Sequence, residues 1–332
     1  MPASQGPSQG PSQGLSQGPS YRPSRDSSQT PSQGPSHAHS PDASHDSSKD
    51  TAPDTRERSG GSARSAGSVA PGSYFERIDE MRFKPTPHAG GAWNADEQHF
   101  SPLGGLVAHV LEEHAAASGQ GLVVSRISYD ILGRLGLDEC EIEVETVRPG
   151  RTISLVEAVV RIGGRPVVRA RAWLLAEWDT GAVAGGSDAR LTPPGELDSW
   201  RMSELWPGGY IASVDVRPVG APTPGRTTAW ISTPLDLIAG VPVGPLASYL
   251  ALVDTANGIA VRQPPTEWMF PNVDLTVHLH RRPTGSWTGL DTTVTWGPAG
   301  QGLTSTVLHD VHGPVGRAEQ LLTVRPLSGS GG

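Results

Sequence analysis

The stretch Gly164-Arg165-Pro166-Val167-Val168-Arg169-Ala170-Arg171-Ala172-Trp173-Leu174 returns, 148 residues later, as His312-Gly313-Pro314-Val315-Gly316-Arg317-Ala318-Glu319-Gln320-Leu321-Leu322. A second pair, Ser101-Pro102-Leu103-Gly104-Gly105 and Gly244-Pro245-Leu246-Ala247-Ser248, lies upstream in the same order at an offset of 143. Repetition at this scale marks a duplicated unit, so whatever one half folds into the other should fold into as well.

Each unit reads as one long helix followed by strands. Leu106, Val107, Val110, Leu111 and His114 form an apolar stripe after Pro102, and Leu246, Tyr249, Leu250 and Val253 form another after Pro245, with Asn257-Gly258 as a stop. Proline is favoured at a helix start because its missing N–H would be unpaired there anyway. Period-two alternation then runs over residues 126–132, 141–148, 153–162 and 166–176, and again over 273–280, 288–296, 303–311 and 314–324. The Gly and Pro turns between these runs predict antiparallel hairpins. Shorter strands are expected at 76–83, 210–216 and 227–233. The fold class is therefore α+β, each half a helix laid on an antiparallel sheet.

Residues 1–72 differ in kind. The tetrapeptide Ser-Gln-Gly-Pro recurs, Tyr21 is the only aromatic, and six basic residues balance six acidic ones. Such a segment has almost no apolar surface to offset the ordering entropy of its backbone, which predicts a disordered tail. The organisation expected is a tail at 1–72, an N-terminal unit at 73–179, a linker at 180–204, a C-terminal unit at 205–326 and a flexible end at 327–332.

The formal net charge of -8 argues against nucleic-acid and anionic-membrane partners, which need a positive field. No apolar run approaches the length of a membrane span, and the N-terminus lacks a signal-peptide layout. One cysteine, Cys140, permits no internal disulfide; a reducing, cytoplasmic location is the expectation. There is no G-x-S-x-G elbow, Walker loop or dinucleotide fingerprint, so no cofactor is expected.

Two residues break the apolar pattern, both in the second half. Gln320 falls on the core face of its strand by parity, where the first half has Ala172. Asp254 falls one turn after Leu250 on the buried side of its helix, where the first half has Leu111. A buried amide or carboxylate without a partner costs about 1–3 kcal/mol or more, so each should have found one. Two readings remain open: a satisfied core pair, or a general base with an amide that positions water. Weaker candidates are His278, His280, His309 and His312 as metal ligands, where alternating polar residues on an outer sheet face explain His278 and His280 better without a metal, and His99, better read as a surface or capping residue than as a pocket residue. Cys140 reads as an inert thiol, and Trp200, Trp206, Trp268, Trp287 and Trp296 as packing.

The chain resembles the TesB-like acyl-CoA thioesterases, the single-chain double hotdog type common in actinobacteria. The resemblance spans Tyr74 to Pro326 and is carried by VSRISYDILG at 124–133, VRPGR at 147–151, VDTANG at 253–258, VDLTVHLHR at 273–281 and the strand from Val315 to Arg325. It implies a double hotdog fold and hydrolysis of a fatty acyl-CoA by a water held between Asp254, Gln320 and a third residue. That third position has Thr or Ser in the family and is Asn272 here, an amide in place of a hydroxyl. By parity Asn272 belongs on the polar face unless Pro271 bends the chain. The resemblance also implies acyl-CoA as substrate and, by analogy, a homo-oligomer. Two alternatives are an acyl-CoA or acyl-chain binding protein without chemistry, and a hotdog enoyl-CoA hydratase. The hydratase normally sets an Asp and a His close together after its helix, and here no His follows Asp254 until His278.

Overall fold

The computed structural model describes residues 72–327. The tail expected at 1–72 and the end expected at 327–332 lie outside the described residues, except for Gly72 and Leu327.

The first half comprises β1 (Ser73–Arg77), β2 (Arg82–Pro85), α1 (Phe100–Ala117), β3 (Val123–Ile131), β4 (Cys140–Arg148), β5 (Ile153–Ile162) and β6 (Arg165–Leu175). The second comprises α2 (Gly209–Ser213), β7 (Asp215–Pro218), β8 (Arg226–Ser232), β9 (Asp236–Ile238), α3 (Pro245–Leu250), α4 (Ala256–Ile259), β10 (Trp268–Met269), β11 (Asp274–Leu279), β12 (Thr288–Trp296), β13 (Gln301–Asp310), β14 (Gly313–Thr323) and β15 (Arg325–Pro326). Among the described residues, thirteen strands make one sheet in the order β7-β8-β12-β13-β14-β11-β3-β6-β5-β4-β2-β1-β9. Read outward from the centre, β3-β6-β5-β4 matches β11-β14-β13-β12, so the duplication in sequence is a duplication in topology. The halves join where β11 pairs antiparallel with β3, Val277 opposite Ile127. They also interlock at an outer edge, because β9 of the second half pairs parallel with β1 of the first. This is the double hotdog arrangement that the family resemblance implies.

Helix α1 packs on β3, β4, β5 and β6, and the helices of the two halves, α1 and α3, pack against each other. They approach so closely that a Cβ on Gly105 would stand 2.5 Å from the Ala251 Cβ and 2.7 Å from the Ala247 carbonyl oxygen, which is why α1 carries glycine there.

Three local expectations differ from the structure. Residues 76–83 form a hairpin instead of one strand, because the Asp79 carboxylate accepts the backbone N–H groups of Met81 at 3.0 Å and Arg82 at 2.9 Å and folds the chain back. Residues 210–216 open as the short helix α2, whose Tyr210 N–H donates to Gly90 O at 2.9 Å, before turning into β7. The second long helix is broken. After α3, residues Val253–Thr255 form a 3₁₀ turn and α4 follows. The cause is the Tyr210 hydroxyl, which lies 3.5 Å from the Ala251 carbonyl and 2.6 Å from the Thr255 hydroxyl. Thr255 N–H turns to Leu252 O instead of continuing the α ladder, the usual consequence of a side chain inserted beside it.

Candidate active site

Asp254 sits in that 3₁₀ turn, buried, with 7% of its surface exposed. Gln320 comes from the core face of β14, as parity predicts, and is buried. Asn272 precedes β11. Its pairing with Leu322 is out of step by one residue with the Thr276–Glu319 pairing farther along, so the strand bulges between them. The Asp274 carboxylate takes the Leu321 N–H at 2.6 Å across that bulge. The irregularity carries Asn272 off the polar face that parity assigned to it.

The three side chains meet. Gln320 Nε2 and Asn272 Nδ2 each donate to Asp254 Oδ1 at 2.7 Å. Asn272 also donates to Asp274 O at 3.0 Å, which fixes its amide. Burial pushes the Asp254 carboxyl up to about 7, with the Asn272 and Gln320 hydrogen bonds opposing that rise. Both donors hold one oxygen, leaving Oδ2 as the one available to a ligand.

Asp254 and Asn272 line a pocket of about 220 Å³ between the two halves, and Gln320 stands behind the carboxylate instead of on the pocket wall. Its apolar wall includes Trp93, Phe100, Leu135, Met202, Trp206 and Ile211. At the polar side stand Glu97 and Arg134, which pair at 2.9 Å.

His99 both caps a helix and lines this pocket. Its Nδ1 accepts the Ser101 N–H at 3.1 Å as the N-cap of α1, and its ring stacks on Tyr210 at 4.2 Å. The same Nδ1 stands 3.9 Å from Asp254 Oδ2. Burial lowers its pKa to about 3, so the ring is neutral, and with Nδ1 accepting a backbone proton the ring N–H is on Nε2. The sequence separation of 155 residues concealed this neighbour. Trp93 and Asn257 on the same pocket also gave no sequence signal; Asn257 Nδ2 donates to Phe270 O at 2.9 Å.

The other candidates fall elsewhere. His278 and His312 are exposed, His280 Nε2 lies 3.1 Å from the Pro314 carbonyl, and His309 is buried. Among the described residues no three His, Cys, Asp or Glu side chains are grouped as metal ligands. Cys140 is buried and its thiol is pushed up to about 12 by desolvation. Of the five tryptophans read as packing, Trp206 does line the pocket, held by its indole N–H on Gly258 O at 2.9 Å. No helix among the described residues is long and apolar enough to cross a membrane.

Two family models match the chain. Residues 89–175 match the acyl-CoA thioesterase N-terminal domain and residues 189–324 the acyl-CoA thioesterase C-terminal domain, together well over half of the chain. No curated protein sequence that was compared with it matches. Similar solved structures include a conserved protein of unknown function with a hot dog fold from Alicyclobacillus acidocaldarius, 16% identical, with a TM-score of 0.58 over 75% of this chain and 95% of that one. A TesB protein from Mycobacterium avium subspecies paratuberculosis is 16% identical, with a TM-score of 0.57 over 76% and 96%. An acyl-CoA thioesterase II from Mycobacterium marinum is also 16% identical, with a TM-score of 0.55 over 77% and 97%. At such identities these structures speak to the fold, and the family models, matched in order along both halves, identify the chain as a member of the acyl-CoA thioesterase family of thioester hydrolases.

Proposed function

We propose that the chain hydrolyses a fatty acyl-CoA with a water activated by Asp254. The observation that carries this reading is a buried carboxylate on the wall of a pocket with a large apolar side, one oxygen held by two amides and the other left for a ligand. Water donates a proton to Asp254 Oδ2 as its oxygen bonds to the thioester carbonyl carbon. The tetrahedral intermediate then breaks its C–S bond, the carboxyl proton passes to the departing sulfur, and a fatty acid and CoA thiol leave. A base is most useful when its pKa lies near the working pH, and Asp254 at about 7 meets that condition.

Gln320 and Asn272 orient the base, because their N–H groups bond to the carboxylate itself. The N-terminal turn of α1 borders the same pocket at His99 and Phe100, and the positive end of a helix stabilises the oxyanion that develops on the carbonyl. The acyl group lies along Trp93, Leu135, Met202 and Trp206.

The hydratase alternative gains one observation, the His99 ring beside Asp254. Against it, Nδ1 is already spent on Ser101 and the ring is neutral, so the two do not form a hydrogen-bonded pair.

The test is release of free thiol from acyl-CoA thioesters of graded chain length. Wild type should cleave at least one, with a rate that climbs as pH rises through about 7 while Asp254 loses its proton. Asp254→Asn should lower that rate roughly 10²- to 10⁴-fold, the usual contribution of a general base. Equal rates for the two proteins at every chain length would refute the hydrolytic role, and crotonyl-CoA hydration in place of thiol release would favour the hydratase.

A further inference from the structure

The inner faces of the two halves differ at four positions in register, not only at the three that hold the candidate site. In the first half Val144 pairs with Ala158 and Val156 with Ala172, all four apolar. In the second half the positions 148 residues on are Thr292 paired with Thr306 and Thr304 paired with Gln320, all four polar and all buried. Thr292 and Thr306 answer each other, their hydroxyls 3.1 Å apart. Thr304 and Gln320 do not: the Thr304 hydroxyl and the Gln320 carbonyl oxygen Oε1 are both buried without a partner, though the residues are direct cross-strand neighbours.

Orphan buried polar atoms are costly, and here two stand on directly paired residues where valine and alanine serve the sister unit, which calls for an explanation. The chemistry of Gln320 supplies one. Its amide meets the carboxylate with the NH₂ end, which leaves Oε1 as an acceptor in need of a donor, and the Thr304 hydroxyl on the paired strand is one without a partner. The two groups are not bonded to each other, and a buried water bridges such orphaned groups when it finds a few polar partners.

We propose that Thr304 is a positioning residue for the reaction: a water bound between Thr304 Oγ1 and Gln320 Oε1 locks the Gln320 amide so that Nε2 is presented to Asp254 Oδ1. This rests on the reading of Asp254 as the base. Other titratable groups facing Asp254 are His99, at the start of α1, and Tyr210, on α2, and neither belongs to this link.

Thr304→Val tests it, since Val156 at the equivalent place shows that the fold accepts valine, and Thr304→Ser restores the hydroxyl. Thr304→Val should lower kcat about tenfold, the rate equivalent of one hydrogen bond of ordinary net strength, with KM unchanged. The midpoint of the pH–rate curve should move upward, because a loosened amide holds the Asp254 anion less well, and Thr304→Ser should restore both. A high-resolution crystal structure should show an ordered water within hydrogen-bond distance of both oxygens. A Thr304→Val enzyme with wild-type kcat and midpoint, or a crystal structure without that water, overturns the inference. Asp254→Asn assayed alongside separates the two readings. If it is inactive while Thr304→Val is unchanged, only the role of Thr304 falls. If Asp254→Asn is as active as wild type, the hydrolytic reading falls and takes this one with it.

Discussion

The first repeat keeps α1 unbroken for 18 residues, with Leu111 buried on it and Ala172 buried on β6, whereas the second breaks its helix after Ala251 and has Asp254 and Gln320 at the matching places. The two units share strand order and register, yet these positions are apolar in one and hydrogen-bonded polar in the other. A carboxylate tolerates such burial only with donors aimed at it. The broken helix, the Tyr210 hydroxyl that breaks it and the bulge that turns Asn272 inward are the local departures that provide them. The buried polar cluster belongs to one copy, while both copies line the pocket beside it.

The comparison can be pressed hardest at Asp254. Its folded-state pKa of about 7 lies above the ordinary 3.8, so folding favours the protonated form. That contribution is complete below about pH 4 and is lost as pH rises through 7, which amounts to roughly 4 kcal/mol at most. Asp254→Asn, which has no charge to bury, should therefore resist urea better than wild type at pH 8 and lose that advantage by pH 4. A wild type equally stable at both pH values would show the second core to be no more strained than the first.

A second contrast lies where Asp310 and Arg281 stand in place of Ile162 and Gly133. The buried Asp310 carboxylate accepts from Arg281 Nη1 at 2.6 Å, from Arg281 Nη2 at 2.5 Å, and from the Thr284 and His312 backbone N–H groups. Burial alone would raise its pKa, but the Arg281 hydrogen bonds and those backbone donors hold it down to about 2. Arg281→Met leaves this charge unpaired and should destabilise by about 3 kcal/mol, at the low end for a buried pair because the arginine is a third exposed. Chemical denaturation at pH 7 measures it, and the deficit should shrink toward pH 2, where Asp310 takes up a proton.

The smallest effect is expected where the two units touch. Gly105→Ala forces a Cβ against Ala251 and should cost about 2 kcal/mol by overpacking. Because Ala251 lies three residues before Asp254, thiol-release activity should fall with stability; a variant as stable as wild type would mean that the helices separate freely.

Much of this was legible in the chain. The eight long strands and α1 lie within a few residues of the expected positions because alternation and stripe are local signals of burial. Gln320 and Asp254 stood out since each occupied an apolar slot whose sister residue was visible 148 or 143 positions away. Asn272 was misplaced by parity, because a bulge shifts register without changing the residues that alternate. His99 beside Asp254 and Trp206 on the pocket escaped detection for a different reason: proximity across 155 or 48 residues leaves no periodicity to read.

Composition and repetition by themselves determined that there are two related sheet-and-helix units and which of them carries polar residues in core positions. Those are matters of pattern along one dimension. Tertiary structure decided that the second helix breaks, that a tyrosine predicted to lie in a strand breaks it, and that two amides converge on one oxygen of Asp254. Such facts depend on where separate segments come to lie in space, and hydrogen-bond geometry at a few tenths of an ångström is set by packing, which no single segment encodes.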